Sequence, residues 1–247
     1  MITLFAWKLL YPDLVHLNRG NHETTNMNRV YGFSGEVKSK YGEKAYDLFR
    51  EIFNYLPLCH VVDKKVFVVH GGLFQKDDVK LDDIRAIKRY CEPSDPSLMA
   101  DLMWSDPQFL PGRSPSKRGI GLSFGPDVTE NFLKLNDLKM VIRSHEVKHD
   151  GYEVMHNGKC ITVFSAPNYC DEGIVDLYSN VFRNGFSSVS CLNKLLIVGF
   201  PLSFHEVGNK AAVVRLTKGL EPKFMQFTHV EHPAVKPMQY AGFNPFM

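Results

Sequence analysis

A chain of 247 residues, 44% hydrophobic and 23% charged with a formal net charge of +2, has the make-up of one ordinary globular domain with a sizeable core. That balance excludes a bulk field for nucleic acid or an anionic membrane surface. Its five scattered cysteines, Cys59, Cys91, Cys160, Cys170 and Cys191, form no CxxC pair and fit free thiols in a reducing compartment, cytoplasmic or nuclear, better than a disulfide framework.

Residues 2–10 space Ile2, Phe5, Leu9 and Leu10 for one helical face. No basic region precedes this apolar start and no small-residue cleavage site follows it, so it is not read as a signal peptide. No run approaches the ~20 apolar residues of a spanning helix, and no membrane contact is expected. A chain that opens inside an amphipathic helix carries the expectation that something precedes it. Tyr11-Pro12-Asp13 breaks the helix, and Leu14 to Asn18 predicts a first strand. Tyr41, Ala45, Leu48, Phe49, Ile52, Phe53 and Leu56 then mark a helix that Pro57 ends.

Val61 to Val69 predicts a hairpin around a charged turn, and Asp82 to Ile87 a short helix with acids in its first turn. Residues 91–120, rich in Pro, Ser, Gly and Asp, predict a long loop of functional use. Asp127 to Leu135 predicts a helix behind Pro126. Strands are expected at 139–144 and 160–165, with Asp150-Gly151 and Asn157-Gly158 as turns between them. Residues 173–207 change texture toward Asn, Ser, Phe, Leu and Val. Ala211 to Leu216 resumes as a strand, and the proline-bearing tail from about residue 221 is expected to be irregular.

One pattern organises the chain. The run ending at Asn18 delivers Arg19-Gly20-Asn21-His22-Glu23. Val66 to Val69 delivers His70-Gly71-Gly72, Met140 to Ser144 delivers His145, and Ile161 to Phe164 delivers Ser165-Ala166-Pro167-Asn168-Tyr169. Polar groups at the carboxyl ends of strands are where open α/β sheets place their sites. His70 and His145 with the side-chain oxygen of Asn21 make a mixed N/O set of the type that suits Mn, Fe or Zn. His22 could act as acid or base beside a metal, Arg118 has the planar fork that grips phosphate, and Tyr169 could add a hydroxyl. Together these groups describe metal-assisted phosphoryl hydrolysis, in which a divalent ion lowers the pKa of its water. The remaining histidines, His16, His60, His149, His156, His205, His229 and His232, read as packed or surface residues. Arg118 could equally be one solvated charge beside Arg113 and Lys117.

The strings RGNHE at 19–23, HGGL at 70–73, WSDP at 104–107, KRG at 117–119, RSHE at 143–146, DGYEV at 150–154 and SAPNYC at 165–170 stand in the order found in the PPP family of serine/threonine protein phosphatases, which the chain resembles over residues 2–172 and about 208–240. The resemblance implies an α/β fold, a calcineurin-like metallophosphoesterase β-sandwich flanked by helices, with two divalent metal ions (Mn, Fe or Zn) at one edge and phosphoproteins as substrates. Carried over by position, Asn21, His70 and His145 would bind the second metal, His22 would be the general acid, and Arg118 and Tyr169 would contact phosphate. Residues 116–133 and 230–238 look most like the branch with amino-terminal TPR repeats, which are absent here, so TPR-mediated partners are not expected.

Two departures shape the expectation. The family's GDxHG and GDxxDRG motifs belong ahead of residue 1 and are absent from the sequence. They supply the protein ligands of the first metal, the bridging aspartate, the aspartate that orients the histidine, and one phosphate-binding arginine. Residues 172–207 separate Asp171 from Gly208 where the family runs on almost directly, and they read as an intron translated in frame. The expectation is therefore a partial catalytic domain over 1–247, incomplete in fold, with an atypical insertion at about 173–207. The competing expectation is a catalytically dead chain that at most binds partners or one metal.

Overall fold

The computed structural model describes residues 1–169 and 208–230; the expected insertion at 173–207 and the tail beyond residue 230 lie outside the described residues. Helix α1 (Ile2–Leu10) buries Leu4. Helices α2 (Thr25–Val30) and α3 (Phe33–Tyr41) follow, then α4 (Glu43–Tyr55), whose Tyr46, Phe49 and Phe53 recur on the helical period and are buried. These join Leu4, Leu17, Val37 and Leu56 in one apolar cluster.

Among the described residues, the central sheet has five strands. Strand β1 (Cys59–Val62) forms the expected hairpin with β2 (Val66–Val69). Helices α5 (Leu81–Arg85) and α6 (Leu98–Trp104) come next, then a small sheet of β3 (Asp106–Pro107), β4 (Arg113–Pro115) and β5 (Leu122–Phe124). After α7 (Pro126–Leu135), strand β6 (Met140–Arg143) pairs parallel with β2. Strands β7 (Tyr152–Met155) and β8 (Cys160–Val163) form a hairpin, and β8 lies parallel to β6, giving the order β1-β2-β6-β8-β7. Strands β9 (Ala211–Leu216) and β10 (Pro222–Phe227) form a separate antiparallel pair.

Strand β2 shows why all its residues are apolar. Val66 and Val68 face a layer with Ile142, Ile161, Val163, Ala212 and Val214, which seats the β9–β10 pair on one face of the sheet. Phe67 and Val69 alternate to the opposite face and join Phe74, Leu102, Phe124 and Phe132 from the loop and helical side. A sheet covered on both faces needs an unbroken apolar run, and β2 is buried throughout. Among the described residues, no helix is long and apolar enough to cross a membrane.

Three expectations are corrected. Residues 14–18 form no strand: the segment meets the sheet through Asn18 Nδ2, which donates to the Val68 carbonyl, and through Arg19 N–H, which donates to Pro57. Residues 91–120 are not one loop, because α6 starts at Ser97, whose Oγ accepts the Ala100 N–H at 3.0 Å as an N-cap, and β3 and β4 follow. The tail is regular over Pro222–Phe227, where Pro occupies the strand's first position and the Phe224 ring stacks on Tyr152 at 3.9 Å.

Candidate active site

Parallel pairing puts the carboxyl ends of β2, β6 and β8 at one edge of the sheet. His70 follows β2 directly, His145 follows β6, and Ser165 to Tyr169 follow β8. The loop after residue 18 reaches the same edge without a strand of its own. There Asn21 Oδ1 lies 2.8 Å from His70 Nε2, and the rings of His70 and His145 are 4.9 Å apart. Asn21, His70 and His145 are all buried. The expected trio is therefore assembled from segments distant in sequence.

The backbone is shaped for close approach. A Cβ on Gly20 would stand 2.8 Å from His70 Nδ1 and 2.8 Å from the Glu23 carboxylate, so a side chain there would push the two loops apart. A Cβ on Gly71 would meet the backbone of Met103 and Trp104 at 2.5 Å. His145 is held at a φ of 74°, a left-handed conformation unusual for a residue with a side chain and typical of functional sites.

The first loop is built around buried charge. Arg19, with no exposed surface, donates through Nε to the Glu23 carbonyl and through Nη1 to the carbonyls of Arg89 and Cys91. Glu23 Oε2 accepts the Gly20 N–H at 2.8 Å, and burial pushes its carboxyl up to about 7. His22 is buried with its carbonyl bonded to Asn28 Nδ2 and its ring 4.7 Å from Tyr31. Burial, then the nearby His145 and Arg118, lower its pKa to about 3.

Asp106, at the start of β3 and within the WSDP string, belongs to the site although it is not among the residues expected there. Its Oδ1 lies 3.1 Å from His145 Nδ1 and 2.7 Å from Arg143 Nη2, and its Oδ2 lies 2.6 Å from Arg118 Nε. Burial alone would raise its pKa, but His145, Arg143 and Arg118 hold it well below the usual carboxylate range. Arg118 is not a solvated surface charge: its side chain is 8% exposed and its Nη2 also donates to the His145 carbonyl at 3.3 Å. Tyr169 packs its ring edge-on against Phe164 at 5.3 Å, and its N–H donates to Asn209 Oδ1.

The donor chemistry suits a divalent ion. An amide oxygen and two buried imidazoles converge, burial lowers the His145 pKa to about 4 so that the ring is neutral, and His145 Nε2 is buried without a hydrogen-bond partner. Among the described residues, no cluster of three or more His, Cys, Asp or Glu side chains is arranged to hold a metal. The set consists of two histidines completed by an amide.

Residues 1–149 match the family described as calcineurin-like phosphoesterase. The chain is 52% identical over 243 residues to serine/threonine-protein phosphatase 5 of Arabidopsis thaliana, which covers 98% of this chain and 39% of that protein. It is 51% identical to the Homo sapiens protein of that name, covering 98% and 42%. It is 49% identical over 249 residues to serine/threonine-protein phosphatase T of Trypanosoma brucei brucei, covering 100% and 46%. The chain thus spans less than half the length of these relatives. A solved structure of a protein serine/threonine phosphatase from Saccharomyces cerevisiae superposes with a TM-score of 0.78 at 34% identity, covering 96% of this chain and 67% of that one.

Proposed function

The chain belongs to the calcineurin-like phosphoesterase family, and on that premise we propose that it is a protein serine/threonine phosphatase, hydrolysing phosphoserine and phosphothreonine esters in proteins. The carrying observation is the convergence of Asn21, His70 and His145 at one sheet edge beside the Asp106–Arg118 pair. The family implies divalent metals. In this reading Asn21, His70 and His145 hold one of them, of the Mn, Fe or Zn type, and His22, Arg118 and Tyr169 serve the phosphate. When bound, such an ion supplies Lewis acidity and an activated water.

The chain's own residues do the rest. Arg118, fixed at Nε by Asp106, offers a guanidinium held in one orientation to the phosphoryl oxygens. His22 is kept neutral by burial and by the positive charge of Arg118. A phosphate dianion placed beside its ring opposes that charge and favours the protonated form, which then gives its proton to the departing seryl or threonyl oxygen. Tyr169 stands at the end of the β8 run as a hydroxyl for the same group. Residues 1–247 are read as a partial catalytic domain that carries an atypical insertion at about 173–207. Cys59, Cys91 and Cys160 are all free thiols, which supports a cytoplasmic or nuclear setting.

The test is release of inorganic phosphate from a phosphoserine or phosphothreonine peptide by the purified chain with added manganese. Turnover that disappears in His22→Ala supports the reading. Manganese bound without any turnover overturns it in favour of a binding module.

A further inference from the structure

Among the described residues, the most heavily bonded side chain outside the proposed ligand and phosphate set is that of Arg143, which has no exposed surface. Its Nε donates to the carbonyl of Gly71, the residue after His70. Its Nη1 donates to Glu146 Oε2 at 2.7 Å and to Thr162 Oγ1 on β8 at 3.3 Å. Its Nη2 donates to the Ser105 carbonyl at 3.4 Å and to Asp106 Oδ1 at 2.7 Å. One guanidinium thus ties the ends of β2, β6 and β8 to the β3 segment. Asp106 carries the tie onward, since its second oxygen holds Arg118 at 2.6 Å and its first lies beside His145.

We infer that the buried pair Arg143–Asp106 is the positioning element of the site: Arg143 locks the strand-end loops together, and Asp106 transmits that lock to the guanidinium of Arg118. The inference deepens the phosphatase reading and rests on it for the word "site". The geometry explains the residue types. Only a planar fork can reach five acceptors on four segments, so lysine cannot replace Arg143. Only a carboxylate can take a guanidinium on each oxygen; Asp106 sets its charge against Arg118 and shares Arg143 with Glu146. Asp106 and Arg143 act through Arg118 and are positioning residues, not catalytic ones.

The test reads the reactivity of Arg118 rather than turnover. The full 247-residue chain, without metal, is treated with phenylglyoxal, and modification of each arginine is followed by peptide mass spectrometry. Arg118 should label slowly in the parent. In Asp106→Asn it should label roughly tenfold faster, the scale of a lost outer-shell support, while the buried Arg19, on a separate loop network, labels as in the parent. Arg143→Lys should shift Arg118 in the same direction by less. Should Asp106→Asn be unfolded by circular dichroism, Asp106→Glu and Arg143→Lys decide the matter. Parental labelling of Arg118 in the folded variants overturns the inference, and so does an equal rise at Arg19, which would mark general loosening. Phosphopeptide kinetics separate this from the phosphatase reading. With turnover present, the folded variants should raise KM more than they lower kcat, since Arg118 holds phosphate in the ground state too. If the parent shows no turnover, the phosphatase reading fails and the labelling result still decides whether the pair positions Arg118.

Discussion

The side-chain oxygen of Asn21 lies 2.8 Å from Nε2 of His70, a residue 49 positions further along the chain. The contact joins a loop that has no strand to the strand-end that anchors the sheet. If both atoms serve one divalent ion, Asn21→Ala should weaken manganese binding to the full chain by at least about 10–100-fold, the cost of losing a mere outer-shell partner. Asn21→Asp should bind more tightly than the parent, because the set otherwise contains only neutral donors. Calorimetric titration with manganese checks both, and equal affinities in all three proteins would remove Asn21 from the ligand set.

His22→Ala should separate chemistry from metal. The ring touches Tyr31 and is not part of the Asn21–His70–His145 trio. Its removal should therefore leave manganese affinity within a few-fold while lowering kcat by about 10²–10⁴-fold, the usual contribution of a general acid. Loss of metal in this variant would reassign His22 as a ligand.

Gly71→Ala should destabilise through packing. The added methyl would meet the Met103 and Trp104 backbone at 2.5 Å, atoms that cannot swing aside. A loss of about 1–3 kcal/mol is expected, as for other overpacked sites. Gly112→Ala, where nothing stands within 4 Å of the added atom, meets no such clash, although its φ of 82° carries its own strain. Urea denaturation of both variants separates the two mechanisms, and an intact, fully stable Gly71→Ala would show that α6 can shift.

Asp101, on α6, gives a pH prediction. Its Oδ2 accepts the Gln75 N–H at 3.0 Å, its Oδ1 is buried without a partner, and burial raises its pKa from 3.8 to about 6. The folded state therefore holds a proton between those values that the unfolded chain has released. Stability from this group is fully present below about pH 3.8 and is lost as pH rises through 6. Relative to the parent, Asp101→Asn should gain about 1–2 kcal/mol between pH 4 and pH 7.5, a figure discounted for partial solvent screening. A pH-independent difference in urea midpoint between the two proteins would contradict this.

The sequence made the β2, β6 and β8 runs legible because a sheet buried on both faces must be continuously apolar, and the histidines that close the β2 and β6 runs stand out. It misled at residues 14–18 because an apolar run states a wish for burial, not for a ladder; Leu17 satisfies it against α4 instead. Helices α2 and α3 escaped notice because residues 25–41 are mostly polar and carry no helical stripe, with Gly32 and Gly42 at positive φ as their punctuation. Helix α6 had a readable signal in Ser97, a capping residue just ahead of Leu-Met-Ala. Asp106 had only its place in the WSDP string: its role lies in partners at positions 118, 143 and 145, which only the fold brings to it.

The parallel pairing of β2 with β6 also sets an order of events in time. Arg143 and Gly71 are 72 positions apart, and two helices, the small three-stranded sheet and α7 must be accommodated between them before the ladder can close. Closing so long a loop costs chain entropy before any contact repays it, so non-local parallel pairs form late. The helices and the β7–β8 hairpin are local and need not wait. Trp104 packs edge-on against the His145 ring at 5.8 Å and so reports on the finished junction. On refolding from urea, the Trp104 fluorescence change, isolated in a Trp7→Phe background, should lag the far-ultraviolet circular dichroism, and manganese should bind only with that slower phase. The centre would then be the last part of the molecule to exist and, on unfolding, the first to disappear.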